Sequence, residues 1–203
     1  MTNYVHKGDL PADVVFDGDL AVDTEAMGLN NLRDRLCVVQ LSDGKGDAHL
    51  VQIDSKTFKA PRLKVLLEDR SRVKIFHFAR FDVAILKHYL DVDVQPIYCT
   101  KIASKLVRTF TDRHGFKDLC RDLISVDVSK QQQSSDWGAD DLTPEQVNYA
   151  ASDVLYLHQL REKLDVMLAR EGRTAYAHEC FKFLPTRAAL DLAGWPDSDI
   201  FAH

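Results

Sequence analysis

Residues 20–53, LAVDTEAMGLNNLRDRLCVVQLSDGKGDAHLVQI, carry the reading that decides the fold. Leu20–Asp23 (LAVD) reads as a short buried strand that runs into an acidic end. Leu36–Leu41 (LCVVQL) and Ala48–Ile53 (AHLVQI) are further runs of strand length, and the SDGKGD between them is made of turn formers, so these two pair as a hairpin. Further along, Val73–Phe78 (VKIFHF) is a fourth strand. Pro61–Leu67 belongs to a helix, and Phe81–Leu90 is another, with Val83, Leu86 and Leu90 at helical spacing. Ile97–Val107 is an extended entry followed by a helix, and Gly115–Leu123 forms one more. Lys130–Trp137 (KQQQSSDW) is a polar loop. Thr143, Pro144 and Gln146 spell a helix start with a capping box, and that helix is expected to run unbroken until it stops near Gly172. Strands come first and helices later, which implies an α/β class with a mixed central sheet flanked by helices. We expect a single domain over 1–203, with a core at about 12–170 and a helical or extended tail over 173–203.

The 203-residue chain has a formal charge of −5. A protein that coats long nucleic acid through diffuse electrostatics is usually basic, so the acidity favours a local substrate site. No apolar run approaches bilayer length and the N-terminus has no signal pattern, so a cytoplasmic location without a membrane partner is expected. Cys37, Cys99, Cys120 and Cys180 have no CxxC spacing and read as reduced core thiols.

Three acidic sites stand at the ends of the expected elements. Asp23 and Glu25 alternate on a strand and face one way, about 7 Å apart at the backbone; alone, this pattern is also that of a solvated strand end. Asp82, in HFARFD, falls in the first turn of a helix, where an acid is favourable without any metal. Tyr149 and Asp153, in YAASD, are four apart and share a helix face that Ala150, Ala151 and Val154 mark as inward. An aspartate on an apolar face calls for a partner or a metal. Together these acids form an all-oxygen set that suits Mg²⁺ or Mn²⁺ over zinc. Four carboxylates can hold two divalent cations about 3.5–4 Å apart, the arrangement suited to in-line displacement at phosphorus.

AVDTE, HFARFD and YAASD, in this order and spacing, resemble the three motifs of the DEDD superfamily of 3′→5′ exonucleases, in its tyrosine-containing, ribonuclease D-like branch. The resemblance extends over about 12–170. RDRLCVVQL, CTKIASKLVRT, TDRHG, KQQQSSDW and the closing DIFAH are similar to the short stand-alone oligoribonucleases of alphaproteobacteria within that branch. It implies a ribonuclease H-like exonuclease domain, with Asp23 bridging two metals, Glu25 and Asp153 completing the first, Asp82 holding the second and Tyr149 orienting the attacking water. It also implies a closed homo-oligomer, an octamer. The helical nucleic-acid-binding domains of full-length ribonuclease D have no counterpart here, which suits a substrate too small to need them.

The expected substrate is therefore very short RNA, dinucleotides especially, or short DNA. The alternative is a general 3′→5′ exonuclease on longer single strands. A phosphatase using the same metals, or a pure binding module, is the reading from another class. Candidate substrate contacts are Thr24 between the two acids, Met27 and Leu29 just after them as apolar wedges against a base, and His77 beside the fourth strand. Arg108, Arg113 and His114, in the most basic stretch of the chain, could grip a terminal phosphate. Lys130, Gln133 and Ser135 offer donors in the polar loop, whereas Trp137 is expected to pack. The apolar tail, with Trp195, Ile200 and Phe201, is a candidate subunit interface.

Overall fold

The computed structural model describes residues 2–129, 131–132 and 134–202. Its six strands are β1 (Asn3–Lys7), β2 (Leu20–Ala26), β3 (Leu36–Ser42), β4 (Ala48–Gln52), β5 (Lys74–Phe76) and β6 (Ile97–Cys99). They form one sheet in the order β1-β4-β3-β2-β5-β6. The β2–β3 and β3–β4 pairs are antiparallel, and the β1–β4, β2–β5 and β5–β6 pairs are parallel. This is the mixed sheet expected. Every residue of β3 is buried, as its apolar run requires of a strand covered on both faces. The hairpin turn closes through Ser42, whose Oγ donates to the Asp47 carbonyl at 2.7 Å.

The helices are α1 (Pro61–Glu68), α2 (Ala79–Leu90), α3 (Thr100–Val107), α4 (Phe116–Ile124), α5 (Pro144–Leu155), α6 (Leu157–Arg170) and α7 (Thr174–Leu192). Helix α5 packs on β2, β3 and β4, α2 packs on α7, and α6 packs on α3 and α4. The capping box forms as read: Thr143 Oγ1 accepts from the Gln146 amide at 3.2 Å, and Gln146 Oε1 accepts from the Thr143 amide at 2.9 Å.

Two expectations are corrected and one element is new. The helix starting at Pro144 does not run unbroken but is interrupted at Tyr156, whose φ of −108° and ψ of −4° separate α5 from α6. No glycine or proline marks the break; one segment packs on the sheet and the other on helices, and a straight axis does not serve both surfaces. The fourth strand ends at Phe76, because Phe78 adopts a left-handed backbone, φ 70° and ψ 42°, and α2 starts at Ala79. Strand β1, which the sequence reading passed over, is an edge strand with Tyr4 and Val5 exposed, so it lacks the apolar pattern of a central strand.

Candidate active site

Strand β2 sets the first two acids. Asp23 pairs with Gln40 of β3 and Glu25 with Val38, and a bulge follows between Glu25 and Ala26. Bulges re-aim a strand beside a site, and here the chain turns into the segment that carries Met27 and Leu29. That segment folds around the buried Asp34, which accepts from the Asn30 amide at 3.0 Å and from Arg33 Nε at 2.6 Å. Gly28 is required by this close approach, since a Cβ there would stand 2.3 Å from Asp34 Oδ2.

Helix α5 brings Asp153 to the same point: Asp23, Glu25 and Asp153 each offer an oxygen within 4.8 Å of the others. Asp82, on the first turn of α2, is 3% exposed and stands outside that group of three. It is held by Thr24, whose Oγ1 donates to Asp82 Oδ1 at 2.7 Å. The Tyr149 hydroxyl, one turn before Asp153, lies beside the Asp153 carboxylate. The left-handed turn at Phe78 puts its ring on the same cleft, a backbone conformation that costs a non-glycine residue about 1–2 kcal/mol. The cleft measures about 560 Å³, and Ala26, Met27, Gly28, Leu29, His77, Phe81, Phe116, Ser134, Ser135 and Trp137 complete its lining.

None of the described lining residues is a lysine or arginine, so none of them gives the acids a counter-charge. Burial, and then Asp82, Asp153 and Glu25, push Asp23 well above the usual carboxylate range. Burial, then Asp153 and Asp82, raise Glu25 to about 9. Burial takes Asp82 to about 7 against the pull of the Thr24 hydrogen bond, and it takes Asp153 to about 7 against that of Tyr149. Burial also raises the Tyr149 hydroxyl, with Asp153, Glu25 and Asp23 adding to it. Such a set fits divalent cations: hard oxygen donors, converging, and too close to ionise together without added positive charge.

A model of the 3′–5′ exonuclease family matches residues 9–169. The chain belongs to the 3′–5′ exonuclease family. Within it, the chain is similar over its full length to NrnC of Brucella melitensis, at 57% identity with 100% of each chain covered and a TM-score of 0.97. A structure of that protein bound to pGG covers 100% of this chain and 99% of its own, at 57% identity and a TM-score of 0.96. NrnC has also been solved with bound Mg²⁺, at 56% identity, 100% coverage of both chains and a TM-score of 0.96. Ribonuclease D of Acidiphilium cryptum is 32% identical over 160 residues, 79% of this chain. The chain spans about 40% of the length of that curated relative. This exonuclease domain thus has the ribonuclease H-like α/β sheet with flanking helices.

The structure brings Asp23, Glu25, Asp82, Tyr149 and Asp153 into one cleft, with Thr24 beneath them and Met27, Leu29, His77 and Ser135 around it. Leu29 is 90% exposed, and His77 is held through Nδ1 by Thr100 Oγ1 at 2.9 Å. Arg108 stands apart from them. It is buried away from the cleft lining, its Nη2 donates to Asp122 Oδ2 at 2.5 Å and its Nη1 to the Arg113 carbonyl at 3.1 Å, so in this chain it ties α3 to α4. Arg113 is exposed and His114 bonds Ser104 Oγ at 2.8 Å; neither lines the cleft. Lys130 and Gln133 lie outside the described residues. Sequence reasoning missed Phe78, Phe81 and Phe116, although aromatic residues flanking an acidic motif were a signal that was there to use.

Proposed function

We propose that this exonuclease hydrolyses very short RNA, dinucleotides first, from the 3′ end and releases nucleoside 5′-monophosphates. The observation that carries the reading is the convergence of four carboxylates and Tyr149 in one cleft with no cationic side chain among its described lining residues. Support for the substrate class comes from the Brucella protein, similar over the whole chain and solved with pGG.

In this reading Asp23, Glu25 and Asp153 would hold one Mg²⁺ or Mn²⁺, and Asp23 and Asp82 would hold a second. When bound, the two cations neutralise the acids and supply Lewis acidity at the scissile phosphate. Thr24 fixes the rotamer of Asp82 by its hydrogen bond. The Tyr149 hydroxyl, beside Asp153, orients the attacking water. Water oxygen bonds to phosphorus, the 3′-oxygen of the preceding nucleoside leaves with a proton, and a 5′-monophosphate departs. Met27, Leu29, Phe78 and Phe81 offer apolar faces to the bases, while His77 and Ser135 are placed for the phosphate. Arg113 and His114 are assigned to a terminal phosphate only if a second copy of the chain brings them to the cleft.

Residues 1–203 are read as one catalytic unit that assembles into a homo-oligomer, an octamer, through the exposed Trp195, Ile200 and Phe201. No described helix is long and apolar enough to cross a membrane, and we assign the protein to the cytoplasm. The test is a time course on RNA and DNA of two to about twenty nucleotides, 3′-labelled, beside a mononucleotide, with light scattering on the same sample. Preferred turnover of the RNA dinucleotide is the expected result. Faster turnover of longer strands would replace this reading with the general exonuclease, and attack on the mononucleotide would replace it with a phosphatase.

A further inference from the structure

The segment 134–140 belongs to no helix or strand, yet it forms one wall of the cleft through Ser134, Ser135 and Trp137. Its carbonyls are captured in order. Arg35, just ahead of β3, donates from Nη2 to the Gly138 carbonyl at 3.0 Å. Gln52, the last residue of β4, donates from Nε2 to the Ala139 carbonyl at 2.9 Å. Lys7, the last residue of β1 and the register partner of Gln52, donates from Nζ to the Asp140 carbonyl and pairs with Asp141 at 2.9 Å. The strand order β3-β4-β1 is thus matched by the carbonyl order 138-139-140, so the segment crosses the strand ends and is pinned once at each.

From the other side, Gln146 of α5 donates from Nε2 to Ser135 Oγ and to the Asp136 carbonyl, both at 3.0 Å. Gly138 permits the close approach, since a Cβ there would lie 2.6 Å from Arg35 Nη2 and 2.7 Å from Met27 Sδ. Between these two anchors sits Trp137, 2% exposed, with its ring centroid 6.0 Å from that of Tyr149.

We propose that Arg35, Gln52 and Lys7 are positioning residues for the hydrolysis: by fixing three successive carbonyls they hold Trp137 against Tyr149 and so hold the tyrosine hydroxyl in place. The inference rests on the functional reading above. The segment lies at the surface, where water can take over a carbonyl whose donor is removed. The fold therefore does not need these donors, and the geometry of Tyr149 does.

The test uses the full-length protein with Mg²⁺ and a 5′-phosphorylated GG dinucleotide, comparing the parent with Arg35→Met, Gln52→Met and the double variant. Kinetics are measured with Trp195 in place, and emission alone is read in Trp195→Phe copies, which leave Trp137 as the sole tryptophan of the two in the chain. We expect Trp137 emission to shift to the red and kcat to fall roughly 10- to 100-fold, the scale of an ångström-sized misplacement. KM should change much less, and Arg35→Lys, which keeps a donor, should recover most of the loss. In a Tyr149→Phe background the same changes should cost little more, because the group they position is gone. If the double variant does not fold, the two single variants carry the same comparison. Variants with kcat and KM within about twofold of an active parent overturn the inference alone, as does an equal loss in the Tyr149→Phe background. A parent that leaves the dinucleotide intact overturns the functional reading and this inference with it.

Discussion

Chelated protein should lose stability as pH rises from 6 to 8.5. Asp82 and Asp153 are raised to about 7 and Glu25 to about 9, mainly by burial. An acid whose folded pKa exceeds its unfolded value stabilises the fold fully below the unfolded pKa and ceases to do so as pH climbs through the folded one. Taken singly at about 1.4 kcal/mol per unit, an acid at about 7 gives up about 1 kcal/mol between pH 6 and 8.5, and one at about 9 gives up about 3 kcal/mol. The acids share protons as a group, so we expect roughly 3 kcal/mol in all. Lys74, buried with its Nζ on the carbonyls of Asp69, Arg72 and Gln95, is lowered to about 8 by burial and works the other way. Its contribution over this window is under about 1 kcal/mol. The net loss corresponds to a fall in Tm of roughly 4–12 °C for a chain of this size. Calorimetric melts in chelator across the pH series measure it. Saturating Mg²⁺ should remove most of the slope, because the cations bind the ionised acids, and Glu25→Gln with Asp153→Asn should flatten it without metal. A chelated parent whose Tm holds or rises from pH 6 to 8.5 would refute the electrostatic account, and so would a slope that survives the double variant.

Tyr149→Phe should lower kcat by roughly 10²–10⁴ with little change in KM, as single-turnover kinetics on the dinucleotide would show. Asp23→Asn should be the most damaging single change, costing on the order of 10³ or more in kcat, while circular dichroism reports an intact fold and a chelated Tm no lower than the parent's. Thr24→Val removes the donor that steadies Asp82, so the acidic limb of the rate–pH profile should move to higher pH and more Mg²⁺ should be needed for half-maximal activity; an unchanged profile would show the hydroxyl to be only a packing contact. Chelation should abolish turnover, with Mg²⁺ or Mn²⁺ restoring it, and metal-stripped protein with full activity would exclude the carboxylate mechanism.

Much of the fold was legible because short-range rules decide it. The hairpin of β3 and β4 follows from two apolar runs around SDGKGD, and the start of α5 follows from Thr143, Pro144 and Gln146, whose capping box involves only neighbours in sequence. The five residues proposed as the reaction centre were legible as three motifs, because strand and helix periodicity fix which way Asp23, Glu25, Tyr149 and Asp153 face. Contacts across the sequence were not. Arg108 lies in the most basic stretch, and nothing local shows that Asp122, fourteen residues on, captures its guanidinium. The break at Tyr156 and the left-handed Phe78 are tertiary choices as well, since each sequence locally permits the simpler element.

By itself, then, the sequence determined the element types, the acid set and its preference for hard cations, since residue identity and periodicity are enough for these. Only the tertiary structure decided that Asp82 leans on Thr24 while Asp23, Glu25 and Asp153 draw together, that aromatic rings from α2 and α4 wall the cleft, and that Arg35, Gln52 and Lys7 meet three successive carbonyls of one loop. Those partners lie far apart along the chain, and their meeting depends on strand order and register, which the energy of the whole packed sheet sets and no local pattern encodes.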